Sequence, residues 1–229
     1  EEDLLHVKGD FTVGNDTYNT HYESEMTAGT IELEGDLTFK DLLGNDSYAT
    51  YGYNPTGTCK TVFCGTELQT VKGSVHYSNS YATLGAVEIQ NTKFTMEDGD
   101  YYLSEDYRPN MKLVADAVIE YEGDIKVKNL DLNGHKLTTA GTVDITNKLS
   151  SAGGDAGLGA AGGSKVGEEI VVTGNKTSMS GNVTGKLLYL DKGQLEVDGD
   201  LSLYSVSEMK SEEDLLHVKG DFTVGNDTY

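Results

Sequence analysis

LHVKGDFTV (5–13), IELEGDLTF (31–39), IEYEGDIKV (119–127) and LEVDGDLSL (195–203) share one pattern. In the first, Leu5, Val7, Gly9, Phe11 and Val13 fall on one side of an extended chain, and His6, Lys8, Asp10 and Thr12 on the other. Period two over nine residues, with one apolar face, marks a half-buried strand. The glycine occupies an inward position where a side chain is expected. A residue without Cβ there reads as a bend, so each phrase is two short strands meeting at a corner.

A second landmark, glycine followed by apolar, acidic and apolar residues, recurs at Gly29 (GTIEL), Gly85 (GAVEI), Gly141 (GTVDI) and Gly193 (GQLEV). Strand–glycine units also close at Gly9, Gly65 (TVFCG), Gly123 and Gly174 (IVVTG). The expected corners are Gly9, Gly35, Gly65, Gly123, Gly174 and Gly199, with Asn91 and Asn147 in equivalent places. Asparagine tolerates left-handed backbone, and stacked asparagines form hydrogen-bonded ladders. A unit of about 26 residues cannot bury its own apolar face but can do so stacked on its neighbours. The expectation is therefore an all-β chain, a β-solenoid of about eight coils. An ordinary β-sandwich is the alternative, although it gives no account of the recurring landmarks.

Residues 1–18, EEDLLHVKGDFTVGNDTY, recur letter for letter at 212–229. The period is 211 residues, so 1–211 reads as one repeat and 212–229 as the start of the next. Leu5, Val7 and Phe11, with Leu216, Val218 and Phe222, are the expected junction between copies.

Charge excludes several functions. The 229 residues carry 38 Asp+Glu against 17 Lys+Arg, a net −21, and Arg108 is the only arginine. No basic stripe is available to neutralise phosphates, which argues against nucleic acid and against an anionic bilayer. No apolar run approaches the roughly 20 residues a membrane helix needs, so no membrane insertion is expected. Glu1 opens no secretory signal, but a chain that starts mid-repeat is silent on export.

MTAGTIELEGDLTF (26–39), GTCKTVFCGTELQTV (57–71) and LGAVEIQN (84–91) together resemble a family of very large, secreted or cell-surface tandem-repeat proteins of Gram-positive, clostridia-like bacteria. Those proteins repeat the phrases T-A-G-T-x-E-x-K-G-D-F and G-T-x-K-x-V-x-x-G-T-x-x-Q-T-V. The resemblance is close over about residues 5–150 and looser beyond. It implies an extracellular or cell-surface location and a repetitive architecture, and it supplies no activity. Two departures are Cys59 and Cys64 within the second phrase and a Gly/Ala-rich tract after residue 150.

Three segments interrupt the pattern. DLLGNDSYATYGYNPTG (41–57) and the stretch 98–110 read as loop excursions, the first with Tyr48, Tyr51 and Tyr53 available either to cover an apolar edge or to present a sticky surface. SSAGGDAGLGAAGGSKVG (150–167) reads as a glycine-rich loop, or else as a patch of close backbone approach.

Chemistry-bearing patterns are few. Cys59 and Cys64, the only cysteines, would lie about 17 Å apart on a straight strand, so a bond between them requires the chain to fold back. An intra-loop disulfide, free thiols and bridges between chains all remain open. His6, His21, His76 and His135 are scattered without ligand spacing. Asp98, Asp100, Glu105 and Asp106 form the densest acidic cluster, a weak calcium candidate that lacks the spacing of a dedicated calcium loop. No other cofactor is implied. No nucleophile elbow, phosphate loop or zinc-protease helix motif appears, so no catalytic residue is assigned. The expected function is structural: a non-enzymatic repeat of an extracellular filament or giant surface fibre whose partner is itself. An adhesin stalk gripping a host or carbohydrate ligand through its loops is the alternative. A polysaccharide-degrading β-helix is a more distant one.

Overall fold

The structure, a computed structural model, describes residues 3–15, 26–41, 53, 55, 57–73, 86–97, 110–113, 115–120 and 122–225. These residues form strands and no helix, and the strands pair in parallel. The chain divides into two compact units, Glu1–Met111 and Lys112–Tyr229.

The first unit holds four rungs, each a strand, a corner and a second strand. They are β1 (Leu4–Val7) with β2 (Phe11–Asn15), β3 (Thr30–Leu33) with β4 (Leu37–Asp41), β5 (Lys60–Phe63) with β6 (Gln69–Gly73), and β7 (Ala86–Ile89) with β8 (Phe94–Glu97). First strands stack as one sheet, β1-β3-β5-β7, and second strands as another, β2-β4-β6-β8. Like positions fall on like positions. Val7, Leu33, Phe63 and Ile89 form one column, and Leu5, Ile31, Thr61 and Val87 another. Parallel strands of this kind cannot be reached by a hairpin and need a full turn of chain between them, which is what makes a coil.

The second unit repeats the plan with longer second strands. Its first strands are β10 (Ala117–Ile119), β12 (Lys136–Thr139), β14 (Ala156–Ala160), β16 (Lys176–Ser180), β18 (Gln194–Asp198) and β20 (Leu215–Val218). Its second strands are β11 (Ile125–Asp131), β13 (Val143–Ser151), β15 (Ser164–Thr173), β17 (Val183–Asp191), β19 (Leu201–Met209) and β21 (Phe222–Val224), with β9 (Asn110–Lys112) at the edge of their sheet beside β11. Burial in β13 and β15 alternates, loses its phase in the middle and then resumes. The registers slip at the matching places, between Val127 and Asn129 and between Val166 and Glu169. Each long strand is thus two straight runs joined by a bend. Leu130, Leu149, Ile170 and Leu188 line the second run and are buried.

Of the residues expected to fill the lumen, Ile31, Leu33, Leu37, Ile125 and Leu201 are in the core, whereas Leu5 is exposed and Val7 and Phe11 are half-buried, because their rung has a neighbour on one side only. The β-solenoid is therefore the observed fold, but a uniform coil of 26 residues is not. Leu4 faces Thr30, Thr30 faces Lys60 and Lys60 faces Ala86, giving coils of 26, 30 and 26 residues in the first unit. In the second, Leu137 faces Leu158 and Thr177 faces Leu195, giving coils of 21 and 18. The count of eight coils fails for that reason. It also treated Gly141 and Gly193 as the same landmark, whereas Gly141 lies between β12 and β13 and Gly193 precedes β18.

The Gly/Ala-rich tract is the second correction. Residues 156–160 are not a loop but β14, flanked by β12 and β16. Ala156, Leu158 and Ala160 are buried, and the ladder of backbone bonds to two neighbours replaces the side-chain contacts that this stretch lacks.

Phe63 and Phe94 are fully buried with ring centroids 4.7 Å apart. Phe63→Ala should lower the unfolding free energy by about 3–5 kcal/mol in urea titrations, whereas a surface change such as Glu67→Ala should alter it by less than about 0.5 kcal/mol.

Candidate functional site

Two features stand out: the corner shared by all rungs, and the rung that occurs twice. Gly9, Gly35, Gly65, Gly123 and Gly199 each sit between the first and second strand of a rung, as does Asn91. Gly174 lies instead between β15 and β16, and Asn147 lies inside β13 at its bend. There Asn147 Nδ2 donates to Asn129 Oδ1 of the preceding coil at 2.8 Å, a two-step asparagine ladder.

Close approach explains the corner glycines. A Cβ at Gly35 would stand 2.5 Å from the Gly9 carbonyl oxygen, and one at Gly199 would stand 2.5 Å from that of Gly181. Side chains following the glycine then tie the coils together. Asp36 N–H donates to Asp10 Oδ1 at 3.0 Å, and Thr70 N–H donates to Asp36 Oδ1 at 2.9 Å. In the second unit Asp200 N–H donates to Asn182 Oδ1, and Asp221 N–H to Asp200 Oδ1. In each unit a short column of Asp/Asn side chains thus runs along the corner, each accepting from the backbone of the next coil.

Sequence reasoning missed a buried polar knot at the same corner. Gln69, fully buried, donates through Nε2 to the carbonyls of Leu33 (2.8 Å) and Gly35 (2.6 Å). Its Oε1 accepts from Gly65 N–H and from Asn91 Nδ2, both at 3.2 Å. The only hint in the sequence was a glutamine at a position that alternation turns inward.

Tyr53, in the 41–57 excursion, is also buried. Its ring meets Phe11 and Phe39 edge-on at 6.1 and 5.7 Å, and its hydroxyl lies 2.7 Å from Thr61 Oγ1. Burial holds the phenol well above its ordinary ionisation range. Tyr53 thus covers an apolar edge, one of the two roles considered for the tyrosines of this segment. Tyr48 and Tyr51 lie outside the described residues, as do Asp98, Asp100, Glu105 and Asp106 and the whole of 98–109. Among the described residues no group of three or more metal-binding side chains converges, and no helix is long and apolar enough to cross a membrane.

Cys59 and Cys64 are free thiols at the two ends of β5. The chain between them runs as an extended strand, so the fold-back that an intra-loop disulfide requires is not made. Cys64 Sγ donates to the Leu33 carbonyl at 3.4 Å. Burial pushes both thiols up, and Glu32 and Glu34 add to the rise at Cys64, which makes them poor nucleophiles at neutral pH.

On the outward face of β12, β14, β16 and β18 lies a shallow groove of about 470 Å³. Its floor passes over Gly157 and Gly159, and its rim carries Lys136, Lys176, Glu196 and Lys219. Lys176 Nζ lies 2.7 Å from Glu196, and Lys219 Nζ lies 3.5 Å from both Glu196 and Asp198. The hydrogen bond from Lys176 holds the Glu196 carboxyl below its usual range, with Lys219 adding to the effect. Lys176 and Lys219 are thus each paired with a carboxylate of a neighbouring coil.

The repeated rung is the second feature. Residues 4–13 and 215–224 adopt the same strand–corner–strand form, as β1/β2 and β20/β21. In the first unit its neighbour is the rung that follows it, with Leu5 on Ile31 and Phe11 on Leu37. In the second its neighbour is the rung that precedes it, with Leu216 on Leu195 and Phe222 on Leu201.

The chain matches no family model, no curated protein and no solved structure.

Two outcomes check the site. Titration of the native, non-reduced chain with a thiol reagent should be slow and should reach two thiols on denaturation; none would mean that a disulfide had formed. Because unfolded tyrosine ionises near pH 10 while Tyr53 stays neutral in the fold, stability should fall as pH rises past about 10. Tyr53→Phe should flatten that alkaline decline in a melting series from pH 8 to 11.

Proposed function

We propose that this protein is a structural repeat of an extracellular filament or giant surface fibre, extended end to end through the edges of its stacked rungs. The observation that carries this reading is the repeated rung: one 18-residue text supplies an edge strand pair in each unit, bonded on opposite sides. A stacked sheet ends in a row of unpaired N–H and C=O groups, which is a template for further strands. Natural proteins that avoid such growth blunt the edge. Here Leu4 and Leu5 on an edge of the first unit, and Leu215, Phe222 and Val224 on an edge of the second, are exposed apolar side chains.

The net charge of −21 fits the same role, since it keeps extended assemblies soluble and apart. The extracellular assignment rests on the resemblance of residues 26–91 to secreted repeat proteins. The adhesin-stalk alternative would act through 41–57 and 98–110, most of which lie outside the described residues. Among the described residues no convergent acid, base or nucleophile supports the enzyme alternative.

Electron microscopy and diffraction of the purified native assembly should show unbranched rods with a reflection near 4.8 Å along the axis. Monodisperse particles of one chain's mass at every concentration would overturn the proposal. The mass of the denatured rods separates one very long polypeptide from many subunits.

A further inference from the structure

The two copies of the rung differ in what they leave open, and the difference is informative. Around Gly220 a Cβ would stand 2.6 Å from the Gly199 carbonyl oxygen and against Asp200 Oδ1, so glycine is required there by the preceding rung. Around Gly9, the same residue of the other copy, a Cβ would meet nothing within 4 Å. The first copy therefore keeps a close-approach glycine whose own Cβ position faces open space.

The corner aspartate is divided in the same way. Asp221 N–H donates backwards to Asp200 Oδ1 at 2.9 Å, while Asp10 Oδ1 accepts from Asp36 N–H ahead of it at 3.0 Å. One residue with a rung on each side does both. The charges agree: Lys219 reaches back to Glu196 and Asp198, and His6 reaches forward to Glu34 at 2.6 Å and Glu32 at 3.4 Å. The rung's His and Lys side chains thus reach carboxylates on opposite sides. Its apolar face is half-covered in each copy. Leu5 is 46% exposed against 4% for Ile31 one rung in, and Phe222 is 46% exposed against 0% for Leu201.

We infer that the open side of the 4–13 rung is the seat of residues 194–203 of a second copy of this chain, in the register that 215–224 displays. Leu4–Val7 then lie on Gln194–Val197, and Phe11–Val13 on Leu201–Leu203, by equivalence with the observed pairs. The inference rests on the filament reading and gives it a junction. In a continuous polypeptide the second copy is the preceding repeat, and the coil runs on without a seam. Between separate chains, 4–13 replaces the neighbour's own 215–224. The two segments make the same contacts, so only the tether favours the chain's own segment, with an effective concentration in the millimolar range. Exchange therefore appears on refolding at comparable concentration.

The test uses the full chain with Cys59 and Cys64 replaced by alanine. Facing residues of parallel neighbours lie about 4.8 Å apart, within disulfide range. Ser202 faces Thr223, so S202C/T223C should close within one chain. T12C/S202C, refolded near 1 mM and oxidised, should give a ladder of interchain disulfides. Adding Gly9→Ala should cut that ladder about tenfold or more without changing the melting of the unmixed chain. A ladder that survives Gly9→Ala overturns the inference, and so does a ladder from T12C/T223C in place of T12C/S202C, which would mean that the two identical rungs simply lie on each other. Rods without the T12C/S202C bond remove this junction but leave the filament reading standing; neither rods nor bonds removes both.

Discussion

A β-rung carries hydrogen-bonding groups along two edges, and no single rung satisfies either. The rest of the structure follows from that constraint. Parallel pairing without hairpins forces the chain through a full turn between partners. Each turn brings like residues over like, so one alternating phrase written many times becomes columns of Leu, Ile, Val and Phe. Burial comes from stacking and not from any local cluster, which is why the 4–13 and 215–224 rungs keep exposed the same residue types that are buried one step inward.

The corner is where this economy is most demanding. Backbone passes so near backbone that Gly35 and Gly199 leave no room for a Cβ. The polar groups gathered there must then be satisfied by the coils themselves. The aspartate column does so on the outside and Gln69 with Asn91 on the inside. A buried side-chain amide that bridges three coils costs nothing in unpaired groups only while all three are in place. The corner therefore ties local conformation to the presence of neighbours.

Much of this was legible in the letters. The alternation around LEVDGDLSL placed Leu195, Val197, Leu201 and Leu203 inward, and all four are buried. Glycine at the corner was legible for the same reason. What failed did so on physical grounds. The stretch 156–160 lacks bulk, so a search for apolar alternation passed it by, although its ladder on both sides makes it a strand. Coil length was misjudged because Gly141 and Gly193 look alike in sequence while serving different corners. Gln69 was invisible because its partners are backbone atoms from other coils, which no linear pattern displays.

Coil length also has a mechanical meaning. A turn of about 20 residues holds some 68 Å of extended chain but advances the stack by only about 4.8 Å. Pulled by its ends, such a stack surrenders one turn at a time, each releasing roughly fourteen times the height it occupied. The 18- and 21-residue turns of the second unit and the 26- to 30-residue turns of the first thus hold different lengths of extended chain, each far more per unit of height than a rod of helices at about 1.5 Å per residue.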